Sequence, residues 1–167
     1  DAGLMGGDLR ASENTYNLLQ QVSGRAGRTK SVGKVYIQTY FTKSPLITSL
    51  KNYNRINFLE ETLSERKKFN LPPYSYLIAI VLSGSTKSKI LNFAKLMVTK
   101  ASQNNKVLIY GPVEAPMFLL RGKFRYRLLI KGQNRKELNI FAKKWLKNLN
   151  IPSNIRLSID VDPYSFI

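Results

Sequence analysis

The chain has 167 residues, 43% of them apolar, enough to bury the core of one domain or of one domain with an appendage. It contains no cysteine and no histidine, which excludes a disulfide framework, a Cys/His zinc site and the imidazole bases of hydrolytic triads. Its net charge is +17, divided as +5 over residues 1–70 and +12 over residues 71–167, and this implies a polyanionic partner, nucleic acid or an acidic protein segment, with a lysine-rich solvated surface as the plain alternative.

The N-terminus, Asp1-Ala2-Gly3, shows neither an initiator Met nor a signal-peptide pattern, so the chain is expected to begin inside a larger, cytoplasmic protein. No apolar run approaches the roughly 18 residues that span a bilayer, and no membrane partner is expected. Residues 11–24 predict a helix capped by Ser12, with Tyr16, Leu19 and Val22 on one face, Leu18 flanking, and a stop at Gly24. After a Gly-containing loop, the β-branched and aromatic run 34–40 predicts a strand. Two helices follow, Pro45–Lys51 and Arg55–Phe69, the second with Ile56, Leu59, Leu63 and Phe69 facing inward. Leu71-Pro72-Pro73 is a stiff break where a domain boundary is expected, because proline disfavours helix before it and cannot continue one.

Beyond the break, Tyr76–Leu82 is an apolar run of strand length. A helix is predicted from about 86 to 103, with Ile90, Phe93, Ala94, Met97 and Ala101 on one face. Val107–Tyr110 predicts a short strand closed by Gly111-Pro112, and Phe124–Lys131 a longer one. Asn134 caps a further helix, with Glu137 in capping-box register and Leu138, Phe141, Ala142, Trp145 and Leu149 as its buried stripe. Ile155–Val161 is the last strand. The β-α-β-β-α-β order predicts an α+β, ferredoxin-like fold whose first strand lies between the third and fourth, with both helices on one sheet face and the other face open.

The segment Gln21-Val22-Ser23-Gly24-Arg25-Ala26-Gly27-Arg28 has the form Q-x-x-G-R-x-G-R. It resembles motif VI of superfamily 2 helicases. An arginine that stays ionised and presents a fork of donors suits a charge that one lobe of an ATPase swings onto the γ-phosphate held by the other. Glycines allow a tight backbone turn at such a face. The neighbouring residues extend the likeness: Asp1-Ala2-Gly3-Leu4, Asp8-Leu9-Arg10-Ala11-Ser12-Glu13, Glu65-Arg66, Leu71-Pro72-Pro73-Tyr74, Gly111-Pro112, Leu120-Arg121-Gly122, Phe124-Arg125-Tyr126-Arg127 and Asp160-Val161-Asp162-Pro163. In this order they resemble the C-terminal part of the primosomal protein N′ family of replication-restart DNA helicases.

The resemblance implies that residues 1–44 are the tail of the second, RecA-like α/β helicase lobe, 45–70 a helical linker and 71–167 the family's C-terminal domain. It assigns Arg28, Arg25 and Gln21 to catalysis, with Gly24 and Gly27 supporting the nucleotide loop. ATP and Mg²⁺ would be bound by the full-length parent, and zinc by a cysteine-rich insertion. The G-x-x-x-x-G-K-[ST] loop and that insertion fall outside this chain, which is therefore expected not to hydrolyse ATP by itself. Gly7-Asp8-Leu9-Arg10 departs from the family's Pro-Asp-Phe-Arg, and Glu13-Asn14 from its Glu-Arg. The implied partners are forked and single-stranded DNA, other primosome proteins and the acidic tail of single-stranded DNA-binding protein, the last received near Arg135 and Asn139.

Independently of the resemblance, Lys123, Arg125 and Arg127 alternate with Phe124, Tyr126 and Leu128, so a period of two puts the cations on the open face, with Arg121 extending the row. On the last strand Arg156 and Ser158 share one side. This predicts a phosphate-contacting surface of low sequence preference. The rival reading is a non-catalytic nucleic-acid-binding or adaptor module.

Overall fold

A computed structural model describes residues 1, 9–26, 33–101 and 105–164. The chain forms two compact units, Asp1–Lys68 and Phe69–Ile167.

Within the first unit, α1 spans Ala11–Ala26, α2 Pro45–Lys51 and α3 Arg55–Lys68. The backbone N–H of Asn14 donates to the carbonyl of Arg10, so α1 starts before Ser12, which lies in its first turn and does not cap it. The helix also runs through Gly24. Glycine in a helix costs about 1 kcal/mol, which weakens the final turn without ending it. Tyr16 is the buried anchor of α1; it stacks on Phe58 with ring centroids 4.7 Å apart, and Leu46 completes the cluster. Leu19 packs against this cluster, whereas Val22, expected on the same face, is exposed.

The expected inward face of α3 is corrected: Ile56, Leu59, Leu63 and Phe69 are all exposed, and Phe58 is the buried residue. Ser44 caps α2 through the N–H of Ile47, and Asn54 accepts from the N–H of Asn57 at the start of α3. Between them Tyr53 adopts a φ of 53° in the turn that joins α2 to α3. Arg66 fixes the far end of α3 by an ion pair of 2.6 Å to Glu13. The run 34–40 is not a strand. Its composition suits a pleated surface, but a strand exists only where a ladder satisfies its N–H and C=O groups, and no described residues supply one. Instead the N–H of Tyr40 donates to the carboxylate of Asp1.

The second unit opens with Phe69–Ser75, where the Pro72–Pro73 peptide is cis and buried Ser75 donates to the carbonyl of Asn70. β1 (Tyr76–Gly84), α4 (Lys87–Thr99), β2 (Val107–Leu120), β3 (Lys123–Gly132), α5 (Arg135–Lys147) and β4 (Ile155–Val161) follow in the β-α-β-β-α-β order. The sheet is four-stranded and antiparallel, in the order β2-β3-β1-β4, so β1 lies between β3 and β4 as expected. Helix α4 is shorter than predicted, because Lys100 ends it.

Ile78, Ile80 and Leu82 of β1, with Tyr126, Leu128 and Ile130 of β3, point to one face. There they meet Ile90, Phe93, Ala94 and Met97 of α4 and Leu138, Phe141, Ala142 and Trp145 of α5, with Leu149 just beyond α5. Ala101 is only partly buried against this core. Asn134 caps α5 by accepting from the N–H groups of Lys136 and Glu137. The Glu137 carboxylate completes no box; it faces Lys106 at 3.2 Å. Trp145 donates its indole N–H to the carbonyl of Met97 at 2.9 Å, which satisfies one of the acceptors that the end of α4 leaves unpaired.

β2 corrects the expectation of a short strand. It continues through Gly111-Pro112 to Leu120 by shifting register twice, between Tyr110 and Val113 and between Glu114 and Leu119. A bulge lets a strand pass over a residue that cannot join the ladder. Gly111 sits at the first shift with φ of 99°, and a Cβ there would lie 2.7 Å from the carbonyl oxygen of Arg127. Gly111→Ala should lower stability by about 1–3 kcal/mol, read from thermal or denaturant unfolding. Ser49 has the opposite sign. Its hydroxyl is buried with no hydrogen-bond partner among the described residues, so Ser49→Ala should be neutral or raise stability by up to about 1 kcal/mol in the same measurement.

Candidate nucleic-acid interface

The helices occupy one face of the sheet, and the side chains of opposite parity form the other. Strand register fixes their rows. Arg125 of β3 is opposite Ser83 of β1, which is opposite Arg156 of β4. One step along, Arg127 is opposite Val81, and Val81 opposite Ser158. The next row is Leu129, Ala79 and Asp160. Neighbouring strands are about 4.8 Å apart, so Arg125 and Arg156 stand on either side of Ser83, about 10 Å from each other.

The cationic end of this face is built by a tight turn. Leu120 pairs with Lys123, leaving Arg121 and Gly122 as the two turn residues, with φ of 49° and 74°. Both values are positive, the backbone of a type I′ hairpin, whose twist matches that of the strands. The turn places Arg121 and Lys123 beside Arg125. Arg125 is half-buried and donates to the carbonyl of Pro116 at 3.1 Å, so its guanidinium is held with donors to spare. A concave surface results, lined by Arg121, Lys123, Arg125, Arg127 and Arg156, with Ser83 and Ser158 on its floor and the carboxylate of Asp160 at its margin. Among the described residues no aromatic side chain lines it. The aromatic residues of β3 lie on the helix side, where Phe118 meets Phe124 and Tyr126 at 5.4 and 5.3 Å. There, too, a hydrogen bond from the Lys87 ammonium to the Glu114 carboxylate holds that lysine above its ordinary pKa, and Lys87 lies over the Phe118 ring.

The arrangement can neutralise several phosphates at once, by the bidentate geometry available to arginine. The sequence located Arg121, Lys123, Arg125 and Arg127 and placed Arg156 and Ser158 on one side of β4. Their meeting across β1 depends on strand order.

The other expected site residues are distributed differently. Gln21 and Arg25 lie one turn apart on the exposed end of α1, with Gly24 between them, while Gly27 and Arg28 lie outside the described residues. Arg135 carries an ion pair of 2.7 Å to Asp162, just past β4, and Asn139 is half-buried one turn further along α5. That pair was missed by sequence reasoning; the available signal was an acidic residue before Pro163 at the end of a strand. Among the described residues, no cluster of acidic side chains could hold a metal, and no helix is long and apolar enough to cross a membrane.

Residues 67–164 match the family model of the primosomal protein N C-terminal domain. Proteins named replication restart protein PriA are similar along nearly the whole chain. The one from Rickettsia conorii is 43% identical over 166 residues, covering 99% of this chain and 26% of that protein. The Bacillus subtilis protein is 32% identical over 94% of this chain and 20% of its own length, and that of Haemophilus influenzae is 30% identical over 98% and 23%. The chain thus spans about a quarter of the length of the relatives it matches. A de novo designed protein, Foldit4, resembles 52% of the chain with a TM-score of 0.42 and 12% identity, too slight to bear on fold or function. The match across the second unit, together with relatives that cover the first unit as well, makes this chain a member of the primosomal protein N C-terminal domain family.

Proposed function

We propose that the chain is the C-terminal part of an ATP-dependent 3′-to-5′ DNA helicase that recognises stalled or branched replication forks and starts primosome assembly. Its second unit is read as a ferredoxin-like domain that holds DNA by its phosphates. The observation that carries this reading is the concave row of Arg121, Lys123, Arg125, Arg127 and Arg156 on the helix-free face. In this reading residues 1–44 are the tail of a RecA-like lobe. Arg28 stabilises charge developing on the γ-phosphate, Arg25 and Gln21 assist it, and Gly24 and Gly27 let the loop approach the nucleotide. ATP and Mg²⁺ belong to the complete protein, which also carries zinc in its cysteine-rich insertion and works in the cytoplasm with single-stranded DNA-binding protein and other primosome proteins. Arg135 is a poorer contact for an acidic tail than its sequence position suggests, because binding there competes with Asp162.

The DNA contact is tested by salt dependence. The chain should bind forked or single-stranded DNA, and removing Arg125 or Arg127 should each flatten the slope of log affinity against log salt by about 0.7–0.9. Lys143→Ala with Lys144→Ala, on exposed positions of α5, is the control. Equal losses from strand and helix substitutions would reduce the face to a diffuse basic surface. Catalysis is tested in the full-length parent: Arg28→Ala should abolish DNA-stimulated ATP turnover, a loss of about 10³-fold or more, while ATP and DNA still bind. Normal turnover would remove the arginine-finger assignment.

A further inference from the structure

The arginines occupy one end of the open face, and the face turns apolar beyond them. One row past Arg127 and Val81, strand register aligns Tyr110 of β2 with Leu129 of β3, Leu129 with Ala79 of β1, and Ala79 with Asp160 of β4. Leu108 lies further along β2, opposite Lys131, and Val113 lies on the near side, opposite Arg127. Leu108, Tyr110 and Val113 are 51%, 45% and 49% exposed. Contiguous exposed apolar groups beside a charged surface mark a place where something apolar binds.

Tyr110 differs from the other aromatic residues of the sheet. Tyr76 shares the phase of Ile78 in β1, and Phe118 meets Phe124 and Tyr126 on the helix side. Tyr110 has the opposite phase, so it stands on the same face as the arginines. Its ring is braced. The Lys131 ammonium lies 5.4 Å from the ring centroid, within cation–π range, and donates to the carbonyl of Phe69 at 3.4 Å. The ladder shifts register directly after Tyr110, and a bulge is the kind of break that re-aims a side chain beside a site.

Tyr110 and Arg127 are diagonal neighbours on β2 and β3, about 7–8 Å apart, a span that long and aromatic side chains bridge. A strand whose phosphate rests at Arg127 can therefore lay the attached base on Tyr110. At the other end of the Tyr110 row stands the carboxylate of Asp160, which repels a phosphate and directs the backbone toward β2. A base inside a duplex has both faces covered by its neighbours, so only an unpaired base can use the ring. Every base has such a face, and the contact adds affinity without sequence preference. We propose, on the reading that the arginine row holds phosphates, that Tyr110, flanked by Leu129 and Val113, is the stacking platform for one unpaired nucleobase of the bound strand.

Three probes separate stacking from charge: a single-stranded oligonucleotide, the same backbone with abasic sites in place of its bases, and a blunt duplex. The full chain should bind the oligonucleotide more tightly than the abasic strand. Tyr110→Ala should lower affinity for the oligonucleotide about 5- to 150-fold and change that for the abasic strand and the duplex by less than about twofold. Its slope of log affinity against log salt should stay that of the parent chain, because no phosphate contact is lost. Tyr110→Phe, which keeps the ring, should stay within about threefold of the parent. Should Tyr110→Ala disturb folding by circular dichroism, Tyr110→Leu keeps apolar volume without a ring and must show the same base-dependent loss. A loss equal on oligonucleotide and abasic strand, or no loss, overturns the platform even where Arg125 and Arg127 substitutions flatten the salt slope. Slopes that those two substitutions leave unchanged overturn the phosphate reading, and the platform with it.

Discussion

A strand hydrogen-bonded on both sides can show water neither edge, and β1 is in that position, between β3 and β4. The consequences reach through the whole second unit. Being central, β1 has no polar residue from Leu77 to Leu82, and Ile78, Ile80 and Leu82 form the floor on which α4 and α5 rest. Its opposite side, Ala79, Val81 and Ser83, is small. Small residues between two strands that carry arginines leave room above them, so the concavity of the open face originates in the middle strand and its charge comes from the flanking ones. The site therefore depends on a strand that contributes no cation to it.

How much of this was legible differs between elements for definable reasons. The stripe Leu138, Phe141, Ala142, Trp145 and Leu149 was readable because α5 lays one face on the sheet, where burial follows helical periodicity directly. The phase of β3 was readable because one of its faces is buried, Tyr126, Leu128 and Ile130, and a slip of one residue would expose the whole set. Periodicity failed where a single contact outweighed a pattern. The four spaced apolar residues of the predicted α3 face all lost to Phe58, which stacks on Tyr16 of α1 while Arg66 of α3 pairs with Glu13. It failed again at β2, since Gly111-Pro112 read as a stop whereas the strand bends around it. The run 34–40 has strand composition without a ladder, and pairing is a property of two segments that one segment's sequence cannot express. As for the candidate site, the arginines of β3 were visible in the alternation of residues, whereas the approach of Arg156 across β1 required the strand order.

The two units differ in how their cores are filled. Among its described residues, the second closes seventeen into one cluster that draws on both helices and all four strands. Among the described residues of the first, the cluster comprises Tyr16, Leu46 and Phe58, with Leu19, Ile47 and Leu50 at its margin, while Leu18, Val22 and Tyr36 are exposed. Local opening free energy tracks buried apolar contact, so α1, which carries Gln21 and Arg25, belongs to the less strongly held part of the chain.

Trp145, the chain's single tryptophan, sits at 4% exposure in the core of the second unit with its indole bonded to Met97. Tyrosines, by contrast, are present in both units. Tryptophan emission is thus a reporter of one unit alone: it shifts when α4 and α5 separate and stays silent if only α1–α3 melt. Unfolding curves followed at the tryptophan band and by helical ellipticity should coincide only where the two units lose structure together, which makes the pair of signals an optical separation of the halves without any label.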